Sequence, residues 1–188
     1  LKITKTIPIL GEFFLRKTKF KLFDKDFETT ITSPLILQNL VMALTILYLE
    51  GVPVSKLLSA TSSLNLEMEG RFNQINIGDW ILIDDTYNAN PSSFKSVLDN
   101  LKKMYPGRRK IVVCGAMAEL GDLSNEFHSQ IGGIIAKSGV SFLFGLGGSE
   151  IKFYLKGWKN EGGEPEAAKH FYKLKDLIYS FRQEIRKD

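Results

Sequence analysis

One cysteine and two histidines in 188 residues leave little room for thiol or metal chemistry. Cys114 alone cannot form a disulfide framework, and His128 and His170 stand too far apart for metal-ligand spacing. Cys114 closes the apolar run Ile111-Val112-Val113, the setting of a buried strand rather than of an activated thiolate. The sequence also lacks a membrane-length apolar run. Its longest apolar stretch, residues 35–49, is interrupted by Gln38, Asn39 and Thr45 and falls short of the ~20 residues that a span requires. Neither an initiator Met nor a signal peptide opens the chain, which begins Leu1-Lys2-Ile3-Thr4, so a piece of a cytoplasmic protein is expected. The net charge of +4 is small and mostly scattered, without a nucleic-acid-binding motif, and describes a solvated basic face better than a polyanion site. A Walker phosphate loop, a nucleophile elbow, internal repeats and low-complexity tracts are absent as well.

What is present reads as a globular α/β chain, 44% hydrophobic and 24% charged. Residues 3–31 alternate apolar and polar side chains, which predicts antiparallel strands with a hairpin at Asp24-Lys25-Asp26. Ser33 can cap a helix whose first turn takes Pro34 and which Gly51 ends. That helix is apolar nearly all round and should be buried in something larger than a hairpin. A short helix follows Pro53. Residues 61–70 form a polar connection, so a hinge over residues 66–70 divides the chain into domains 1–70 and 71–188. Beyond it, strands at residues 71–77 and 80–83 flank a Gly78-Asp79 turn. Helices then alternate with strands: helix 93–104, strand 110–114, a helix from Ser124, strand 141–144, a short helix near 150–155, a weak strand at His170-Phe171 and a last helix from Leu174. This alternation predicts a mostly parallel sheet covered on both faces, with ligands beyond the carboxyl ends of its strands.

Three loops lie at such ends. In Asp84-Asp85-Thr86-Tyr87-Asn88-Ala89-Asn90-Pro91 two carboxylates, two amides, a Thr and a Tyr follow a buried strand. Adjacent acids repel a bare phosphate, so a ribose, a cation, an amine or a metal-chelated nucleotide suits them better. Alternatively the Asp and Asn side chains satisfy their own backbone in a polar turn. In Gly115-Ala116-Met117-Ala118-Glu119-Leu120-Gly121, Glu119 either binds a ligand or faces water. The third loop, Gly145-Leu146-Gly147-Gly148, misses the dinucleotide fingerprint because Glu150 occupies the place of its last Gly. From the residues alone the chain is a nucleotide- or small-molecule-binding α/β domain.

Gly70-Arg71, a hairpin, Asp84-Asp85-Thr86-Tyr87-Asn88-Ala89-Asn90-Pro91, and then Met117-Ala118-Glu119-Leu120-Gly121 with His128 one helical turn into the next helix follow in order and at the right spacing. Together they resemble the Mur ligase family, in its D-alanyl-D-alanine-adding branch. Asn39, followed by Ala43 and Gly51, extends the similarity into the first third. The resemblance implies a Rossmann-like C-terminal domain preceded by the hairpin and helical tail of a central ATPase domain. It also implies an ATP-dependent ligase in which ATP phosphorylates the carboxylate of UDP-N-acetylmuramoyl-tripeptide and the amine of D-alanyl-D-alanine attacks the acyl phosphate. By the same resemblance Asn39 packs against adenine, Arg71 and Asp85 contact ribose or phosphates, and Tyr87 and Asn90 lie over the nucleotide. Asn88 and Glu119 fall on the D-alanyl-D-alanine side. His128 reads as a helix-packing residue.

The chain departs from the family pattern in three ways. The phosphate loop and the carboxylate and lysine that serve Mg2+ and substrate are not in it, so no catalytic residue or metal ligand is assigned here. A Lys-Gly-Ser-Arg stretch expected near the end of the last domain is missing, and Ala116 replaces the usual Asp. The longer enzyme is expected to be a monomer. Two other readings stand beside this one. One is a sibling ligase, such as folylpolyglutamate synthase or another Mur ligase, with a different amine. The other is a non-catalytic binding module that keeps the fold.

Overall fold

The computed structural model describes residues 11–14, 17–31, 33–64 and 70–186. Contacts within the chain divide it into two compact units, Leu1–Tyr87 and Asn88–Asp188.

The first unit opens with an antiparallel sheet of β1 (Gly11–Phe14), β2 (Lys17–Leu22) and β3 (Lys25–Thr29). Leu22 pairs with Lys25, so the turn is Phe23-Asp24, both at positive φ (52° and 56°), not the expected Asp24-Lys25-Asp26. Two consecutive left-handed residues match the twist of a two-residue hairpin. An aromatic residue seldom adopts that conformation; here the Phe23 ring stacks on Tyr48 with centroids 4.1 Å apart. Helix α1 (Pro34–Leu49) begins as predicted, with Ser33 Oγ accepting the Ile36 N–H and Pro34 in the first turn. Leu37, Val41 and Leu44 recur at helical spacing and join Phe20, Leu22, Phe27 and Ile31 from the sheet in one core. The opposite face carries Met42, Ile46 and Leu49, all at least 55% exposed. The described residues thus bury one face of a helix whose composition calls for cover all round. Helix α2 (Val54–Ser63) runs three residues into the predicted polar connection. Thr61, buried, donates its Oγ1–H to the Leu57 carbonyl, and Ser63 does the same to Ser59, so these hydroxyls are absorbed by the helix itself. Within the predicted hinge, residues 66–69 lie outside the described residues.

A second antiparallel pair, β4 (Asn73–Ile77) and β5 (Trp80–Asp84), turns at Gly78-Asp79 as expected, with Gly78 at φ 58°. β4 starts two residues later than predicted because Phe72, at φ 51°, is not in strand conformation.

The second unit is built on a parallel sheet of β6 (Ile111–Cys114), β7 (Phe142–Leu146) and β8 (Ala168–Phe171), in that order. Around it lie α3 (Pro91–Met104), α4 (Ser124–Lys137), α5 (Ile151–Asn160) and α6 (Leu174–Ile185). Leu98, Ile131, Ile135, Leu143, Ile151, Tyr154 and Trp158 form its core. Cover is incomplete at β6, where Val113 is 52% exposed. Helices α4 and α5 meet backbone to backbone: a methyl group on Gly132 would collide with the Tyr154 carbonyl, and one on Gly157 with that of Ser129. This crossing holds Tyr154 in place, with consequences for the loop above it. Burial pushes the Cys114 thiol up to about 12, which keeps it protonated and inert, as its place in a strand implies. Glu184 of α6 is buried too, and its carboxylate meets Lys169 of β8 at 3.4 Å while its carbonyl accepts from Arg109 at 3.2 Å.

Candidate functional site

The hairpin of the first unit ends in a short knot of backbone bonds. The Tyr87 N–H donates to the Gly70 carbonyl (2.9 Å), and the Phe72 N–H donates to Asp85 Oδ1 (2.8 Å). Gly70 is buried at φ 71°, and a side chain there would strike the Tyr87 backbone, so only glycine allows this closure. With both ends tied, the Arg71 guanidinium rests over the Tyr87 ring, 4.3 Å from its centroid. Both side chains are exposed, Tyr87 by 67%. Asp85 sits half-buried beneath them. Burial raises its carboxyl above the usual range, the Phe72 N–H opposes that, Asp84 adds to the rise and Arg71 opposes it. Asp84 turns aside, and its Oδ1 accepts from the Thr86 Oγ1–H (2.7 Å) and N–H (3.2 Å).

Three of the predicted nucleotide residues, Arg71, Asp85 and Tyr87, are therefore gathered at one point. Asn39 is exposed on α1, and among the described residues no hydrogen bond or ring contact joins it to that group. Asn88, Asn90 and Glu119 belong to the second unit. Asn88 is exposed. Asn90 caps α3, which therefore starts at Pro91 rather than Ser93. Its Oδ1 accepts the Ser93 N–H (2.9 Å) and the Ser92 hydroxyl (2.8 Å), while its own N–H donates to Ser93 Oγ. The cap engages the acceptor end of the amide. Glu119, exposed at φ 60°, stands at the carboxyl end of β6.

Two contacts at these strand ends were not foreseen from the sequence. The Met117 N–H donates to His128 Nε2 (2.9 Å), and His170 Nε2 bonds the Gly147 carbonyl (2.9 Å), anchoring the glycine-rich loop to the end of β8. A shallow depression lined by Ser141, Phe142, Glu164, Glu166, Lys169 and Glu184 lies at the opposite, amino ends of β7 and β8. It is occupied by the Lys169–Glu184 ion pair of the fold, so the carboxyl ends remain the better site. Among the described residues no group of three or more His, Cys, Asp or Glu side chains is placed to hold a metal ion. Asp84 and Asp85 each use Oδ1 within the turn, toward Thr86 and Phe72. No described helix is long and apolar enough to cross a membrane.

A parallel sheet with polar loops collected at its carboxyl ends places the second unit in the Rossmann-like class of ligand-binding α/β domains. Residues 70–188 match the family model of the Mur ligase, glutamate ligase domain, and the chain belongs to that family. The match takes in the β4–β5 hairpin, which packs with the first unit. The chain is 27% identical over 106 residues to the UDP-N-acetylmuramoyl-tripeptide–D-alanyl-D-alanine ligase of Bacillus subtilis strain 168, covering 56% of this chain and 23% of that protein. It is 48% identical over 67 residues to the enzyme of the same name from Buchnera aphidicola, covering 36% and 14%. Among solved structures it superposes on MurF from Acinetobacter baumannii with a TM-score of 0.78 at 22% identity, covering 95% of this chain and 38% of that one. The MurF ligase of Thermotoga maritima, solved in complex with ADP, gives 0.62 at 24% identity, covering 85% and 35%. At these identities the structures show the shared fold. The chain spans well under half the length of the relatives it matches.

Proposed function

We propose that this chain is the C-terminal part of a cytoplasmic, monomeric, ATP-dependent ligase that joins D-alanyl-D-alanine to UDP-N-acetylmuramoyl-tripeptide in peptidoglycan synthesis. The observation that carries the proposal is the closed turn in which Gly70 and Phe72 fix Tyr87 and Asp85 while Arg71 lies over the Tyr87 ring. An exposed cation backed by an aromatic face, beside a half-buried carboxylate, suits the ribose and phosphates of a nucleotide. The relatives named above, which carry the D-alanyl-D-alanine ligase name, favour that amine over those of sibling ligases.

In this reading Arg71 and Asp85 contact ribose or phosphates, and Asn39 packs against adenine. Tyr87 and Asn90 cover the nucleotide, Asn90 through Nδ2. Asn88 and Glu119 face the dipeptide. In the same reading the longer enzyme divides into residues 1–70 and 71–188, which the start of the family match at residue 70 supports. Mg2+, which would serve the triphosphate, is held mainly by residues outside this chain.

An amine panel tests the assignment. The longer enzyme, given ATP, magnesium and UDP-N-acetylmuramoyl-tripeptide, is expected to release ADP with D-alanyl-D-alanine and not with L-alanine, D-glutamate, L-lysine or L-glutamate. Turnover with one of the others instead identifies a sibling ligase. ADP release with none of them points to a binding module.

A further inference from the structure

We propose that His128 is a positioning residue that sets the Glu119 turn for the amine substrate; the inference rests on the reading of Glu119 given above. His128 is fully buried, in the second turn of α4, and each ring nitrogen is committed to backbone. Nε2 faces the Met117 N–H at 2.9 Å, a group that can only donate. Nδ1 faces the Ser124 carbonyl at 2.6 Å, a group that can only accept, with Ser124 Oγ at 3.3 Å. The ring is therefore neutral, with its proton on Nδ1. It has no free nitrogen with which to shuttle a proton. Tyr154 packs edge-on against it, centroids 4.8 Å apart, and Tyr154 is in turn fixed by the Gly132 crossing. The imidazole cannot turn without breaking this contact.

What it holds is the loop. Met117 is 4% exposed and its side chain enters the core, so this residue is the point at which the loop is pinned to α4. Two residues on, Glu119 is in the left-handed region at φ 60°, which side-chain-bearing residues rarely adopt, and is exposed. A conformation of that kind persists when its surroundings over-determine it, and such residues cluster where ligands bind. An apolar side chain at position 128 would fill the same space but leave the Met117 N–H buried and unpaired. The loop would then relax and carry Glu119 with it.

Three variants of the longer enzyme test this, with rates normalised to active sites. His128→Phe is expected to raise KM for D-alanyl-D-alanine about fivefold while KM for ATP stays unchanged. His128→Gln, whose Oε1 can accept the Met117 N–H, should recover most of that loss. Glu119→Gln should raise the same KM. If Glu119→Gln leaves the amine KM unchanged, the placement of Glu119 on the amine side fails. If Glu119→Gln raises it but His128→Phe only lowers Tm, His128 is structural and the present inference is overturned. Should His128→Phe not fold, His128→Gln and the native protein still decide. The native protein should show a scalar coupling across the hydrogen bond between the Met117 amide nitrogen and His128 Nε2. A missing coupling, or an imidazole protonated on Nε2, contradicts the proposal.

Discussion

Incubated by itself with ATP, magnesium, UDP-N-acetylmuramoyl-tripeptide and D-alanyl-D-alanine, the 188-residue chain is expected to be folded but to release no phosphate above a heat-killed control. Phosphoryl transfer to a carboxylate needs the triphosphate held in line and its developing charge neutralised. No glycine-rich phosphate loop occurs in this sequence, and the described acidic residues do not gather into a metal site. What is present is an Arg–Tyr–Asp corner in one unit and two loops in the other, which on the proposed reading serve only the adenosine end of a nucleotide and part of an amine site. Positioning and electrostatic stabilisation supply most of the rate in such reactions, so a half-site forfeits turnover altogether. The exposed face of α1, from Met42 to Leu49, should also make the isolated chain self-associate. Phosphate release and product mass check this. Turnover by the chain alone would mean that the catalytic machinery has been misplaced.

In the longer enzyme, Asp85→Asn should lower kcat/KM for ATP ten- to hundredfold without loss of Tm. A charge-assisted hydrogen bond contributes about 1.5–3 kcal/mol, which is that range in rate. Asparagine is the informative substitution because its Oδ1 can still accept the Phe72 N–H. Asp85→Ala would orphan that donor at a buried residue in a left-handed conformation and cost about 1–3 kcal/mol of stability, confounding ligand loss with unfolding. The sign of the carboxyl shift agrees with this choice. Its pKa is raised in the fold, so just above the ordinary value the folded state binds more protons than the unfolded one. Stability therefore falls as pH rises through that window, and at neutral pH the charged form is a net cost. Removing the charge should leave Tm at pH 7 equal to or above that of the native protein. A lowered Tm with unchanged ATP kinetics would make Asp85 structural.

The elements were legible where one local signal governed them. Ser33-Pro34 and Gly51 bracket α1, and Gly78-Asp79 marks the β4–β5 turn. Local signals misled where a partner distant in sequence decided the outcome. Phe23 takes the left-handed conformation of a two-residue turn, and its ring stacks on Tyr48 of another element. Thr61 and Ser63 read as linker residues, but their hydroxyls bond back into α2 and extend it. The site divides in the same way. The polar strand-end loops and the order of their residues were visible from the spelling, and they led to the family. The bonds from Asp85 to Phe72 and from His128 to Met117 span 13 and 11 residues and depend on folded geometry, which no local pattern encodes. Asn90 shows the polar-turn alternative, since its Oδ1 caps α3.

The most direct measurement follows one oxygen atom. UDP-N-acetylmuramoyl-tripeptide carrying oxygen-18 in its terminal carboxylate is given to the longer enzyme with ATP, magnesium and D-alanyl-D-alanine. If that carboxylate takes the terminal phosphoryl group and the dipeptide amine then displaces phosphate, one labelled oxygen leaves in each phosphate released and the new amide keeps the other. Phosphate free of label, or label retained wholly in the peptide product, would contradict the assignment of this chain to an acyl-phosphate ligase.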